Sequence, residues 1–152
     1  MTHTPAGYTL LDGPPTVPEY VSLRRETGLS PKNEEQARAG IDGAWAAVRV
    51  RHDATGATVG MGRVIGDGGW YFHVIDMAVL PEHQGQGIGS AVLQHLLDRI
   101  RRDAPPGAYV SLMADRPGQP LYAKHGFEDP SPRTIGMTLN LDDSAGGSES
   151  RG

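Results

Sequence analysis

Gln84-Gly85-Gln86-Gly87-Ile88-Gly89 decides the reading of this chain; it follows a strand-like run, Tyr71 to Val79, and opens an amphipathic stretch that extends to Asp103. Glycines at alternate positions let the main chain turn sharply and approach a ligand with no Cβ in the way. The helix predicted after them directs unpaired N–H groups and the positive end of its dipole at the same spot, so an anion is held without a side-chain cation. A glycine-rich turn alone is equally a structural reversal, and its neighbours must decide.

Two nucleotide-binding patterns fit poorly. A Walker loop needs a Lys-Ser/Thr pair after its last glycine, and none follows Gly89. The dinucleotide fingerprint shares Gly85-x-Gly87, but Ser90 stands where its third glycine belongs, and Pro81-Glu82-His83 lengthens a turn that should be tight.

The spacing Gln84-x-x-Gly87-x-Gly89 instead resembles the Arg/Gln-x-x-Gly-x-Gly/Ala motif of the GNAT superfamily of acyl-CoA-dependent N-acyltransferases. Ile75 to Gln84 is similar to that family's strand-then-proline approach, and Leu121-Tyr122-Ala123-Lys124-His125-Gly126-Phe127 resembles its downstream Leu-Tyr-x-x-x-Gly-Phe signature. The resemblance runs from about Thr58 to Phe127 and is diffuse before that, where this superfamily varies with its acceptor. It implies a mixed α/β fold: a mostly antiparallel central sheet, two parallel strands splayed apart, and about four flanking helices. Within Trp70 to Gly89, and at Gly136-Met137, the chain resembles the plant-type serotonin-acetylating branch more than the protein-acetylating one.

Bulk properties agree with one enzyme domain over residues 1–143, with 144–152 as a disordered tail. The 152 residues contain no cysteine, which excludes a disulfide scaffold, a zinc-thiolate site and a cysteine acyl-enzyme. The six histidines are scattered, so no metal-ligand set is expected. The N-terminus lacks a signal-like segment and no apolar run approaches membrane-spanning length, which reads as cytoplasmic without membrane association. A formal net charge of −4 disfavours a nucleic-acid surface.

Along the chain, Tyr8 to Leu11, Ala44 to Arg51, Thr58 to Ile65, Trp70 to Val79 and Tyr109 to Met113 read as strands. Helices are expected from Pro18 to Thr27, from Ser30-Pro31 onward, from the glycine loop to Asp103, and from Gly118 to Lys124. Gly66-Asp67-Gly68-Gly69 calls for a reversal with positive φ. The helix crossover after the glycine loop makes Tyr109 to Met113 parallel to Trp70 to Val79. Thr134 to Leu141 is expected to pair last in the sheet.

The resemblance implies acetyl-CoA as cosubstrate, with no metal. The main chain of Met77, Ala78 and Val79 would meet the pantetheine arm, and Gln84, Gly85, Gln86, Gly87, Ile88, Gly89 and Ser90 would surround the pyrophosphate. The Val79 amide would donate to the thioester carbonyl. Aminolysis of a thioester also requires a neutral amine and a proton for the departing thiolate. Freeing an alkylamine of its proton at pH 7 costs about 4 to 5 kcal/mol, so a base or a water wire is useful.

His73 is the preferred base, because histidine titrates near neutrality and relatives carry a glutamate or histidine at that strand position. A hydrogen-bonded structural histidine is the competing reading. Asp76 is the reserve base, and in a regular strand it faces away from His73. Tyr122 resembles the family's general acid near the cofactor sulfur, against a packing role beneath the cofactor. Asp115 stands where the family often has asparagine, and Pro117 and Pro120 are expected to shorten the helix that presents Tyr122. Direct acetyl transfer in a ternary complex to a small primary amine follows. A non-catalytic CoA-binding regulator is the alternative, and a nucleotide-binding oxidoreductase the weaker one. Relatives often dimerise, so a homodimer is possible, but no sequence feature decides it.

Overall fold

Glycine-bearing reversals and alternating apolar residues build a meander that meets its parallel fifth strand through one helical crossover. The computed structural model describes residues 3–141. The strands are β1 (Tyr8–Asp12), β2 (Ala46–His52), β3 (Thr58–Gly66), β4 (Tyr71–Val79) and β5 (Tyr109–Leu112). The helices are α1 (Val17–Glu26), α2 (Glu34–Asp42), α3 (Ile88–Asp103) and α4 (Gln119–Lys124). The strands form one sheet in the order β1-β2-β3-β4-β5, antiparallel except for the parallel β4-β5 pair. The chain divides into two compact units, residues 1–112 and residues 113 onward.

Local chemistry sets the element ends. Thr16 and Glu19 form a reciprocal capping box at the start of α1. Asn33 and Gln36 form another, which moves the start of α2 from the expected Ser30-Pro31 to Glu34. At the β3-β4 reversal Gly68 has φ +75°, and Asp67 Oδ1 accepts from the amides of Gly69, Trp70 and Tyr71, holding Trp70 in the turn. Helix α3 buries Ile88, Ala91, Val92, Leu93, Leu96, Leu97 and Ile100 along one face. Each large aliphatic side chain so buried contributes roughly 1.5–3 kcal/mol. A Cβ on Gly62 of β3 would come within 2.7 Å of Val92 Cγ1 and 2.9 Å of Met77 Sδ, so only glycine lets α3 lie this close.

The middle of β4 carries a bulge. Met61 pairs with Ala78, but Arg63 pairs with Ile75, so the register slips by one residue at Gly62, and Asp76 sits at φ +61°. Aspartate is one of the few residues that tolerate this left-handed conformation. Cross-strand partners share a face, so Met61, Arg63 and Ile65 share one with Ala78, Ile75 and His73. On that face Met61 and Ala78 cluster with Tyr20 and Leu23 of α1 and Ala37 of α2. The extra residue therefore corrects the expectation for a regular strand: Asp76 also turns to this face, the one His73 occupies.

There Asp76 gathers three donors. Arg24 from α1 and Tyr20 from α1 bond its two carboxylate oxygens, and Arg63 Nε lies 2.5 Å from Oδ2. Arg63 also donates to the Gly40 carbonyl of α2 at 2.8 Å, and Arg24 to the Ser30 carbonyl at 2.8 Å. Burial opposes the Arg63 charge, yet the Asp76 carboxylate outweighs it and raises the Arg63 pKa further. Burial and then the Asp76 carboxylate likewise raise the Tyr20 phenol.

The second unit contains a single 3-10 turn at Arg116–Gly118 and then α4, six residues long, as Pro117 and Pro120 imply. The expected strand from Thr134 to Leu141 does not form among the described residues. Its apolar alternation, Ile135, Met137, Leu139 and Leu141, is strand-like, but these side chains are exposed and the described residues of this unit offer no second strand to share a ladder. The tail expected from Ser144 lies outside the described residues.

Removing one partner from a buried charge cluster leaves the others uncompensated. Asp76→Ala should lower unfolding free energy by about 3–5 kcal/mol in chemical denaturation, with little change in the denaturant slope; a loss under 1 kcal/mol would mean the two arginines do not depend on it.

Candidate active site

The glycine loop adopts the conformation that its composition calls for. Gly85 has φ +77°, and Gly87, the residue that caps α3, has φ +88°. No side chain caps the helix start. Among the described residues the amides of Gly85, Gln86 and Gly87 meet no carbonyl partner, and those of Ile88 and Gly89 lie in the first turn, which has no intrahelical acceptor. The segment Gln84 to Gly87 is exposed, and a Cβ built on Gly85 would meet nothing within 4 Å. Open space, positive φ and a run of amides without carbonyl partners fit a diphosphate. Glu82 lies in an exposed 3-10 turn, Pro81–His83, at the loop's border.

The strand leading to this loop is unpaired on one side. Strand β5 pairs with β4 only from Tyr71↔Tyr109 to Val74↔Leu112. Beyond that point Ile75, Asp76, Met77, Ala78 and Val79 have no strand on the β5 side among the described residues, while β3 continues to pair on the other. An extended ligand is able to take up backbone groups along this edge. Gln84 Nε2 donates to the Val79 carbonyl at 2.9 Å, tying the strand end to the loop.

His73 is half-buried on the face described above, with Nδ1 2.9 Å from Ser111 Oγ of β5. Ser111 Oγ lies 3.3 Å from the Tyr71 hydroxyl, and when its proton points there it accepts from His73 Nδ1–H. In that tautomer Nε2 carries the lone pair. Burial pushes the His73 pKa below the usual histidine range, which keeps the ring neutral and able to accept a proton. Asp76 does not match it as a base. Its oxygens are committed to Arg24, Arg63 and Tyr20, and its side chain is almost wholly inaccessible.

In the second unit Tyr122 is half-buried on α4, its ring edge-on to Phe127 at 6.1 Å between centroids. The Phe127 amide donates to the Tyr122 carbonyl at 3.0 Å, closing the end of the helix. Burial, and after it the Asp115 carboxylate, raises the phenol's pKa above its usual value, so the hydroxyl stays protonated at neutral pH. Asp115, the departure from the family pattern, thus favours a proton-holding phenol.

Sequence reasoning missed Ser111 as the partner of His73 and the two arginines of Asp76. Arg24 stands 52 residues from Asp76 and Ser111 stands 38 from His73, and no local pattern announces either pair. Among the described residues no helix is long and apolar enough to cross a membrane, and no group of three or more His, Asp or Glu side chains is gathered as a metal site would need.

Residues 44–129 match the family model described as an acetyltransferase (GNAT) domain. A probable acetyltransferase from meticillin-resistant Staphylococcus aureus, of unknown function, is 38% identical with a TM-score of 0.81, over 88% of this chain and 99% of that one. A GNAT family acetyltransferase from Streptococcus pneumoniae is 23% identical (TM-score 0.71, 89% and 98% covered), and a putative one from Xanthomonas campestris 21% (0.72, 90% and 96%). No curated protein matches the chain. The glycine loop and the bulged, half-paired β4 lie within the matched segment, and the chain belongs to the GNAT acetyltransferase family.

Proposed function

We propose that this acetyltransferase moves an acetyl group from acetyl-CoA to a small primary amine, directly and within a ternary complex. The observation that carries the reading is the continuity of the uncapped loop, Gly85 to Gly89, with the unpaired edge of β4 from Ile75 to Val79. One end of that path suits a diphosphate and the other an amide-bearing arm. Acetyl-CoA, when bound, supplies an activated acyl group. Amides of Gly85 to Ser90 hold the diphosphate, the main chain of Met77 to Val79 aligns the arm, and the Val79 amide donates to the acyl oxygen. A metal is not part of this reading.

His73 accepts the amine proton, but not by contact at Val79. With the bulge, His73 and Val79 lie five ladder steps apart, about 17 Å, so the proton reaches His73 through intervening water. Tyr122 holds a proton at neutral pH and gives it to the departing sulfur. The chain has no cysteine to carry the acyl group, in keeping with direct transfer. The resemblance of Trp70 to Gly89 to the serotonin-acetylating branch supports a small acceptor. A homodimer is compatible with this scheme and is not needed by it.

An amine-library screen reporting free CoA tests the activity; release of CoA with no amine in the library would favour a regulator that binds CoA without turnover. Gly87→Val forces a β-branched residue into φ +88° and should weaken acetyl-CoA binding at least tenfold by calorimetry. Tyr122→Phe should lower kcat by about 10²–10⁴ while leaving the KM for acetyl-CoA nearly unchanged; unchanged kcat would assign the tyrosine to packing. Because burial lowers the His73 pKa, the base works down to a pH below the ordinary histidine value of about 6.5 and is lost only under more acid conditions. At saturating amine, the kcat profile should therefore fall on an acid limb below pH 6.5, and His73→Ala should remove that limb.

A further inference from the structure

The first strand of the chain reaches the cofactor loop. Tyr8, at the start of β1, is buried, and its hydroxyl lies 2.7 Å from His83 Nδ1 and 3.3 Å from Gln86 Oε1. One hydroxyl serves both when it donates to Gln86 and accepts from His83 Nδ1–H. The two partners bracket Gly85: His83 ends the 3-10 turn before the loop, and Gln86 is the one side chain between the two positive-φ glycines. The Tyr8 ring packs at 5.3 Å from His52 and edge-on at 5.6 Å from His83, and the two histidine rings lie 4.8 Å apart. Pro5 leans on the same segment, its Cγ 3.7 Å from where a Gly87 Cβ would stand.

This arrangement answers a conformational problem. Gly85 and Gly87 free the backbone to adopt the required shape but equally free it to leave that shape. The Gln84 bond to Val79 fixes one side of Gly85, and the other side, Gln86, has no hydrogen-bonded anchor besides Tyr8 among the described residues. Outward amides bind an anion well only when they are already held in register, because ordering them on binding subtracts from affinity.

We propose that Tyr8 is a positioning residue for the cofactor loop, acting through His83 and Gln86 to hold the amides of Gly85 to Gly89 in the binding conformation. The inference rests on the reading of that loop as the acetyl-CoA diphosphate site. A hydrogen bond of ordinary strength corresponds to about a three- to tenfold change in equilibrium constant.

The test compares the wild type, Tyr8→Phe, His83→Leu and the double variant by calorimetry with acetyl-CoA, steady-state kinetics and thermal melting. Tyr8→Phe keeps the ring and its packing. It should raise both the dissociation constant and the KM for acetyl-CoA about three- to tenfold, with kcat within about twofold. His83→Leu should move the same quantities in the same direction, and the double variant should fall short of the product of the two effects. Wild-type affinity in Tyr8→Phe would overturn the positioning role alone. So would a fall in kcat and melting temperature with no selective change in cofactor affinity, which marks a merely structural tyrosine. A wild type that binds no acetyl-CoA would overturn the loop reading itself, and this inference with it.

Discussion

The buried carboxylate of Asp76 is the constraint on which the arrangement around it depends. An aspartate in left-handed conformation at the centre of β4 inserts one residue into the ladder, and that residue reverses which side chains face α1 and α2. The same carboxylate binds Arg24 and Tyr20 of α1 and Arg63 of β3, and Arg63 in turn holds the Gly40 carbonyl of α2. Two helices, the neighbouring strand and the bulge are thereby fixed to one point. A buried cluster of this kind adds little net stability over an apolar core, but it penalises alternative registers severely, because each would strand a charge.

The bulge matters to the site because it alters β4 where its pairing with β5 has ended. Upstream, Phe72 to Val74 pair on both sides and hold His73 against Ser111. Downstream, Ile75, Ala78 and Val79 pair with β3 alone, and the strand leads into a glycine loop whose helix start has no side-chain cap. Rigid sheet on one side and available main chain on the other is the preorganisation that binding an extended, anionic ligand requires. Close packing of α3 over Gly62 sets where the helix begins, and hence where the donors of its first turn lie.

The two titratable groups with proposed proton roles are tuned by the same force in opposite chemical directions. Burial disfavours charge, which keeps the His73 imidazole neutral and the Tyr122 phenol protonated. A neutral acceptor and a neutral donor of protons coexist at the same pH without a metal or a bound ion. Asp76, more deeply buried than either, is held in the structure by its arginines.

Much of the fold was legible in the sequence because it follows from local rules. The three glycines at 85, 87 and 89 specify the loop, the apolar spacing of Val92, Leu93, Leu96, Leu97 and Ile100 specifies α3, and the helical crossover specifies that β5 runs parallel to β4. The proline pair at 117 and 120 foretold a short α4. Local pattern misled where a strand needs a partner: Thr134 to Leu141 alternates like a strand, yet alternation supplies no second ladder edge. The sequence by itself determined most of the elements and the conformation of the glycine loop, because propensity, glycine conformation and helix dipoles act within a few residues. Only the tertiary structure decided that Asp76 bulges the strand and turns toward the His73 face, that Ser111 orients His73, and that Tyr8 braces the loop. Those outcomes rest on pairs 13 to 78 residues apart, whose energies exist only once the sheet has brought them together.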